Sequence, residues 1–286
     1  MQKLSKLQLE NVSYIYSTGT PYEVRALDNV SVGIEEGKIT GIIGHTGSGK
    51  STFVQLLNGL EKPMEGRVLL DGADIWEKPK EIGKIRFRVG LVMQYPEYQL
   101  FEETIRRDIS FGPKNMGLTE LEIERSVDMA AEFVGLDRSL LDKSPFDLSG
   151  GQKRRAAIAG VIAMKPEILV LDEPAAGLDP MGRDAIFEGI SRYQRETGAT
   201  VVIVSHSMED MAKLCDNLIV MAHAKVAMNG TCAEIFSRAD ELEEIGLSVP
   251  QITKLMAILK SRGVAIDGSF YTVADAARAL AEILKK

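Results

Sequence analysis

Cysteine is scarce: Cys215 and Cys232 are the two in 286 residues. Neither stands in a CxxC pair or at ligand spacing from a histidine, which argues against a zinc site and a disulfide scaffold and fits a reducing compartment. Both read as small packing residues. Tryptophan occurs once, Trp76 in DGADIW, and reads as a packing or loop-edge residue; histidine occurs at His45, His206 and His223. A basic surplus is also missing. Acidic residues outnumber basic ones by 41 to 34, a net charge of −7, so no nucleic-acid partner is expected. No apolar run approaches the ~18 residues a spanning helix needs, and MQKLSKLQLENVSYIY lacks the unbroken apolar segment of a signal peptide. The expectation is a cytosolic chain with at most a peripheral place at a membrane.

Glycine, by contrast, is concentrated in two loops, GHTGSGKST at 44–52 and LSGGQ at 148–152. The length suits one large domain with an appendage, or two modest domains. Short strand-like runs come first, at 7–16, 26–34 and 38–44, the last leading into the first glycine loop. KSTFVQLLNGL has helical spacing, and 67–72 and 88–94 read as further strands. From about 104 to 145 the pattern becomes helical and charge-rich, as an inserted helical layer. EILVLDEP at 167–174 and TVVIVSH at 200–206 are continuous apolar runs of the kind buried in a parallel sheet, with a helix between them. After Phe236 the pattern loosens, and two helices are expected at 251–262 and 272–285. No internal repeat or low-complexity tract is visible.

GHTGSGKS fits G-x-x-x-x-G-K-[ST] between a strand and a helix, the context that pattern requires. Gly44, His45, Thr46, Gly47, Ser48, Gly49 and Thr52 would cradle the phosphates of a nucleoside triphosphate through backbone amides and the helix N-terminus. Lys50 would reach the β- and γ-phosphates and Ser51 would ligate Mg²⁺. ILVLDE ends in two acids: Asp172 suits Mg²⁺ ligation, directly or through a bound water, and Glu173 suits a general base for the attacking water. His206, at the end of the next strand, is placed to touch the γ-phosphate.

Taken in order, GHTGSGKST, Gln94, LSGGQ, ILVLDEP, AAGLDP and VSH resemble the nucleotide-binding domain of ATP-binding cassette (ABC) ATPases over roughly residues 5 to 236. The resemblance implies an α/β P-loop fold with an antiparallel β subdomain and an inserted helical subdomain at about 97–160. It implies a cassette at 1–236 and an extension at 237–286. It also implies a second ABC ATPase, a paralogue or a second copy, packed head to tail, so that Ser149, Gly150, Gly151 and Gln152 of one chain cover ATP held by the other. Asp179 would communicate across that interface. Tyr16 would stack on adenine, with Tyr14 as the competing residue. Gln94 would meet Mg²⁺ and the attacking water and act as a hinge to the helical layer.

The stretch YPEYQLFEETIRRDISFGPKNMG closely resembles ATPase subunits of energy-coupling factor (ECF) transporters, and FEET, IAGVIAM and HSMEDMA look like the second of their two paralogous ATPases. That resemblance implies ATP hydrolysis at the cytoplasmic face of the cell membrane, coupled to uptake of a vitamin or other micronutrient. Its further partners would be a transmembrane coupling subunit and a substrate-binding membrane component. Tyr95, Tyr98, Leu100 and Phe101 would be apolar docking anchors, and Glu97, Glu102 and Glu103 would pair with arginines of the coupling subunit. Ala175 and Ala176 replace the family's usual hydroxyl residue after DEP. AHAKVAMNG replaces its glycine turn, placing His223 in a modified hairpin with no assigned function. The apolar spacing of Ile252, Leu255, Met256 and Leu259 fits packing within the extension or a contact between ATPases. An ATPase of iron–sulfur cluster assembly is the alternative reading.

Overall fold

The computed structural model describes residues 5–266 and 268–284. Two sheets organise them. An antiparallel sheet, in the order β2-β1-β4-β5, is built from β1 (Ser5–Tyr16), β2 (Val24–Glu35), β4 (Glu65–Leu70) and β5 (Ala73–Asp74). A six-stranded sheet runs in the order β10-β9-β3-β8-β7-β6, from β3 (Ile39–Gly44), β6 (Val89–Val92), β7 (Ile168–Asp172), β8 (Thr200–Val204), β9 (Asn217–Ala222) and β10 (Lys225–Thr231). All its neighbours are parallel except the β9–β10 hairpin. The expected α/β class is therefore observed.

The apolar runs become central strands because both faces of this sheet are covered. Leu169, Leu171, Val201 and Ile203 pack into one core; Ile168, Val170, Val202 and Val204, one residue out of phase, pack into the other. The second core includes Phe53, Val54, Leu56 and Leu57 of α1 (Lys50–Leu57) and the inner face of the antiparallel sheet. A short α2 (Ile82–Arg88) precedes β6.

The first core receives the helical layer: α3 (Ile105–Asn115), α4 (Glu120–Phe133) and α5 (Gly150–Ile162). α4 and α5 open with capping boxes, Thr119 with Glu122 and Ser149 with Gln152, each satisfying two amides at a helix start. α6 (Pro180–Thr197) crosses between β7 and β8 and packs so closely on the end of α4 that a Cβ at Gly189 would overlap the Phe133 carbonyl.

After β8 come α7 (Met208–Leu214), α8 (Cys232–Phe236), α9 (Ala239–Glu244), α10 (Gln251–Ser261) and α11 (Val273–Leu284). Packing does not change at the expected boundary of 236/237, because Leu242 and Val249 are buried in the first core. A separate small core begins only with α10 and α11, around Met256, Ile266 and Ala276. Ile252, Met256 and Leu259 face that core, whereas Leu255 is half exposed. Residue 285, the end of the expected last helix, and residues 1–4 of the expected cassette lie outside the described residues.

Candidate nucleotide site

Loops at the C-terminal ends of β3, β6, β7 and β8 enclose a cleft of about 340 Å³, the end of a parallel sheet at which ligands bind. Tyr16, Thr46, Gly47, Gly49, Lys50, Ser51, Thr52, Gln94, Asp172, Glu173 and His206 line it, with Val24, Ala26 and Val204 as apolar wall. A larger hollow of about 570 Å³ beside Lys6, Glu167 and Tyr193 holds none of the motif residues. It lies at the opposite ends of the strands, so the smaller cleft is the candidate site.

β3 ends at Gly44 and α1 starts at Lys50, with the glycine loop between. Gly49 has φ 103°, and a Cβ there would overlap the Ala26 carbonyl, so glycine is required. The Lys50 ammonium donates to the carbonyls of Gly44 (2.7 Å) and His45 (3.0 Å), lying back along the loop. Burial lowers its pKa, against the pull of Glu173 and Asp172. Beneath the loop the Ser48 hydroxyl is buried without a hydrogen-bond partner. A cation on carbonyls, an orphaned hydroxyl and a helix N-terminus make a cradle suited to phosphate.

Asp172 is the last residue of β7, hydrogen-bonded to Ser51, with its pKa raised by burial against that bond. With the Gln94 side chain in the same cleft, these hard oxygens fit a divalent cation such as Mg²⁺. The next residue, Glu173, leaves the strand in a left-handed conformation, φ 51°, and its N–H donates to the Val204 carbonyl at 3.1 Å. Burial, and then the neighbouring Asp172, push its carboxyl up to about 7. Oε1 of Glu173 is buried without a hydrogen-bond partner, and His206 Nε2 stands 3.4 Å away. Burial, and then Lys50, lower the His206 pKa against the pull of Asp172. A carboxyl titrating near neutrality with an unsatisfied oxygen can accept a proton from water.

Of the two tyrosines, Tyr16 lines the cleft, its hydroxyl 3.1 Å from Thr52 Oγ1. Tyr14 packs edge-on against it at 4.9 Å and donates its hydroxyl to Glu61, away from the cleft. The second glycine loop is elsewhere. Ser149 and Gly150 are exposed at the start of α5, and neither Ser149, Gly150, Gly151 nor Gln152 lines the cleft. Gln152 is occupied as the reciprocal half of the cap, Oε1 accepting from the Ser149 N–H at 2.9 Å. Asp179 caps α6, accepting from the Gly182 N–H at 2.7 Å.

Around the expected docking stretch, Tyr98 and Phe101 are well exposed, at 85% and 65%, and Tyr95 is half exposed. Leu100 and Phe101, with Phe111 and Met164, line an apolar groove of about 290 Å³ between α3 and α5. Glu97 is different from the expectation: its carboxylate takes a bidentate pair from Arg154, at 2.7 and 3.0 Å, and is not free for a partner arginine. Glu103 pairs with Arg107, while the amides of Phe101 and Glu102 are held by the Asp108 carboxylate at 3.2 Å. His223 does occupy a modified hairpin: His223 and Ala224 are both left-handed, φ 49° and 62°, and the His223 ring lies 5.7 Å from that of His45. Arg154 itself escaped sequence reasoning; the available signal was a cation two residues beyond LSGGQ.

A sequence profile described as ABC transporter matches residues 27–176. The energy-coupling factor transporter ATP-binding protein EcfA2 of Clostridium perfringens is 51% identical over 98% of both chains. That of Caldanaerobacter subterraneus subsp. tengcongensis is 52% identical over 94% of both. Among solved structures, cbiO1 of Clostridium perfringens, described as part of the ABC transporter complex cbiONQ, superposes with a TM-score of 0.75 at 41% identity, covering 88% of this chain and 99% of that one. The ATP-binding cassette MJ0796, solved as a dimer in a post-hydrolysis state with ADP and Pi, gives a TM-score of 0.72 at 28% identity, covering 79% and 98%. With a phosphate cradle, a raised carboxyl and an outlying signature loop in the family's order, this chain belongs to the ABC ATPases, in the branch of energy-coupling factor transporter ATP-binding proteins.

Proposed function

We propose that the chain is the ATP-hydrolysing subunit of an ECF-type importer, working as half of a head-to-tail ATPase pair on the cytoplasmic face of the membrane. The observation that carries this reading is the separation of the two glycine loops: the cleft holds the P-loop, Gln94, Asp172, Glu173 and His206, while LSGGQ is exposed outside it. A second ATPase must therefore bring its own signature loop to complete each site, with the amides at the start of α5 facing phosphate.

In this arrangement Lys50 and the loop amides hold the triphosphate, and Tyr16 stacks on the base. Ser51, Asp172 and Gln94 would hold Mg²⁺, which would supply charge neutralisation on the phosphates. Glu173 takes a proton from the water that attacks the γ-phosphorus, and His206, 3.4 Å from Glu173, keeps that carboxylate and the γ-phosphate in register. Asp179, next to the same interface, adjusts to the other chain.

The helical layer is the transmitting part. Its apolar groove and the exposed Tyr98 and Phe101 suit a helix of a transmembrane coupling subunit, with Glu102, which shares a neighbouring hollow with both aromatics, meeting basic side chains. No helix among the described residues is long and apolar enough to cross a membrane. The substrate, a vitamin or similar micronutrient, would be bound by a separate membrane component. The half-exposed Leu255 and Ile258 on α10 would contribute to a contact between ATPases.

Affinity purification of the chain from its native membrane, with identification of co-purifying proteins, tests the assembly. A second ATPase and a polytopic membrane protein are expected. Full steady-state turnover by a strictly monomeric species would overturn the reading.

A further inference from the structure

Four charged side chains among the described residues are buried: Lys50, Asp172, Asp210 and Arg154. The first two belong to the nucleotide cleft, and Asp210 is paired with Arg183 at 2.9 Å. Arg154 has no role in the reading above, yet burying a guanidinium is costly unless its donors are satisfied by fixed partners.

Those partners come from separate motifs. Nε and Nη2 grip both oxygens of Glu97, at 3.0 and 2.7 Å. Nη1 donates to the Ala176 carbonyl, and the guanidinium carbon lies 5.8 Å over the Tyr95 ring. Tyr95 adjoins Gln94, and Glu97 lies in the turn that follows it. Ala176 lies between Glu173 and Asp179, in a turn whose N–H donates to the Glu173 carbonyl at 3.2 Å. Arg154 is itself on α5, whose first turn is the signature loop.

We propose that Arg154 is a positioning residue that ties the groups reading a chain's own ATP to the loop the chain presents to the other chain's ATP. The inference rests on the head-to-tail reading. A guanidinium with a bidentate carboxylate, a carbonyl and an aromatic face is fixed in orientation as well as distance. A shift at Gln94 moves Tyr95 and Glu97, and through them rotates α5 and its exposed N-terminus. The same plane holds the chain between Glu173 and Asp179, so signature loop and proton acceptor move together. Lysine keeps the charge but cannot reproduce this fork, so Arg154→Lys separates orientation from electrostatics.

The test uses the full chain assembled with its partner ATPase and membrane subunits. Arg154→Lys, Glu97→Gln, their combination and the exchanged pair Glu97→Arg with Arg154→Glu are compared for unfolding midpoint, ATP affinity of the isolated chain, and kcat and KM of the assembly. The expected result is ATP affinity and KM within about threefold of the parent, with kcat reduced about tenfold or more in each single variant. The combination should be no worse than the single variants, since both break one link. The exchanged pair should recover part of kcat.

Single variants with parental kcat would overturn the link. So would a kcat loss that merely follows a fall in midpoint and ATP affinity, with additive effects and no recovery on exchange, because that is the signature of plain packing. A parent chain that turns over fully as a monomer fails the two-chain reading itself, a result the parent control shows before any variant is compared.

Discussion

Replacing Glu173 by glutamine should make the nucleotide-free chain more stable while nearly abolishing hydrolysis. The carboxyl is moved from 4.5 to about 7, chiefly by burial and next by Asp172. At about 1.36 kcal/mol for each tenfold change in proton affinity, that displacement amounts to roughly 3 kcal/mol. The sign follows from the direction. Below about pH 4.5 the group is protonated in folded and unfolded chains alike, so glutamine changes little. As pH rises toward 7 the unfolded chain ionises freely while the folded one resists, so the parent loses stability that the variant keeps. Above 7 the difference is complete. Thermal unfolding with chelator and without nucleotide should give matching midpoints near pH 4 and a midpoint several degrees higher for the variant at pH 8. Hydrolysis should fall by about 10² to 10⁴, the usual contribution of a general base, with ATP affinity retained. Equal or lower stability at pH 8 would refute the buried-carboxyl argument; parental turnover would refute the role in proton transfer.

Three further outcomes are expected. Tyr16→Ala should weaken ATP binding by about 1–3 kcal/mol, the worth of one base–aromatic stack, whereas Tyr14→Ala should not; equilibrium titration of both decides between the tyrosines. Glu167, bonded to Arg88 and Lys6 and held down to about 2, stabilises the fold above its unfolded value of 4.5 and loses that effect as pH falls toward 2. Its side chain is 42% exposed, so Glu167→Gln should cost on the order of 1 kcal/mol at pH 7 after screening, and nothing near pH 2, by thermal melts across pH. Gly189→Ala should destabilise by about 1–3 kcal/mol, because its methyl must displace the α4–α6 contact; denaturant titration measures it.

Much of the fold was legible because its strands are buried on both faces, so 167–174 and 200–206 read as unbroken apolar runs, and because the glycine loop lies between a strand and a helix. The place of that loop between β3 and α1 was legible from local spacing alone. What was not legible depended on long-range placement. α2 (Ile82–Arg88) has no buried residue, so no apolar stripe announced it. Glu97 looked like a free surface acid, and only folding brings Arg154, 57 residues later, onto it. That core packing continues past Phe236 was not legible either, because it rests on two side chains, Leu242 and Val249, entering the main core, and single burials leave no periodic signal. Tyr16 and Tyr14, two residues apart on one strand face, could be told apart only by which one reaches Glu61 and which Thr52.

Strand β7 carries an arithmetic of its own. Ile168 and Val170 face the layer that contains α1, and Asp172 follows them in the same parity, which is why it meets Ser51. Glu173, next in line, escapes the alternation only through its left-handed backbone. The aim of both acids is thus counted off from the pleat. Inserting or deleting one residue within 168–172 would exchange the two sides of the strand and carry the carboxylate away from Ser51. The loop before the strand can vary in length across descendants of this sequence, but the strand cannot.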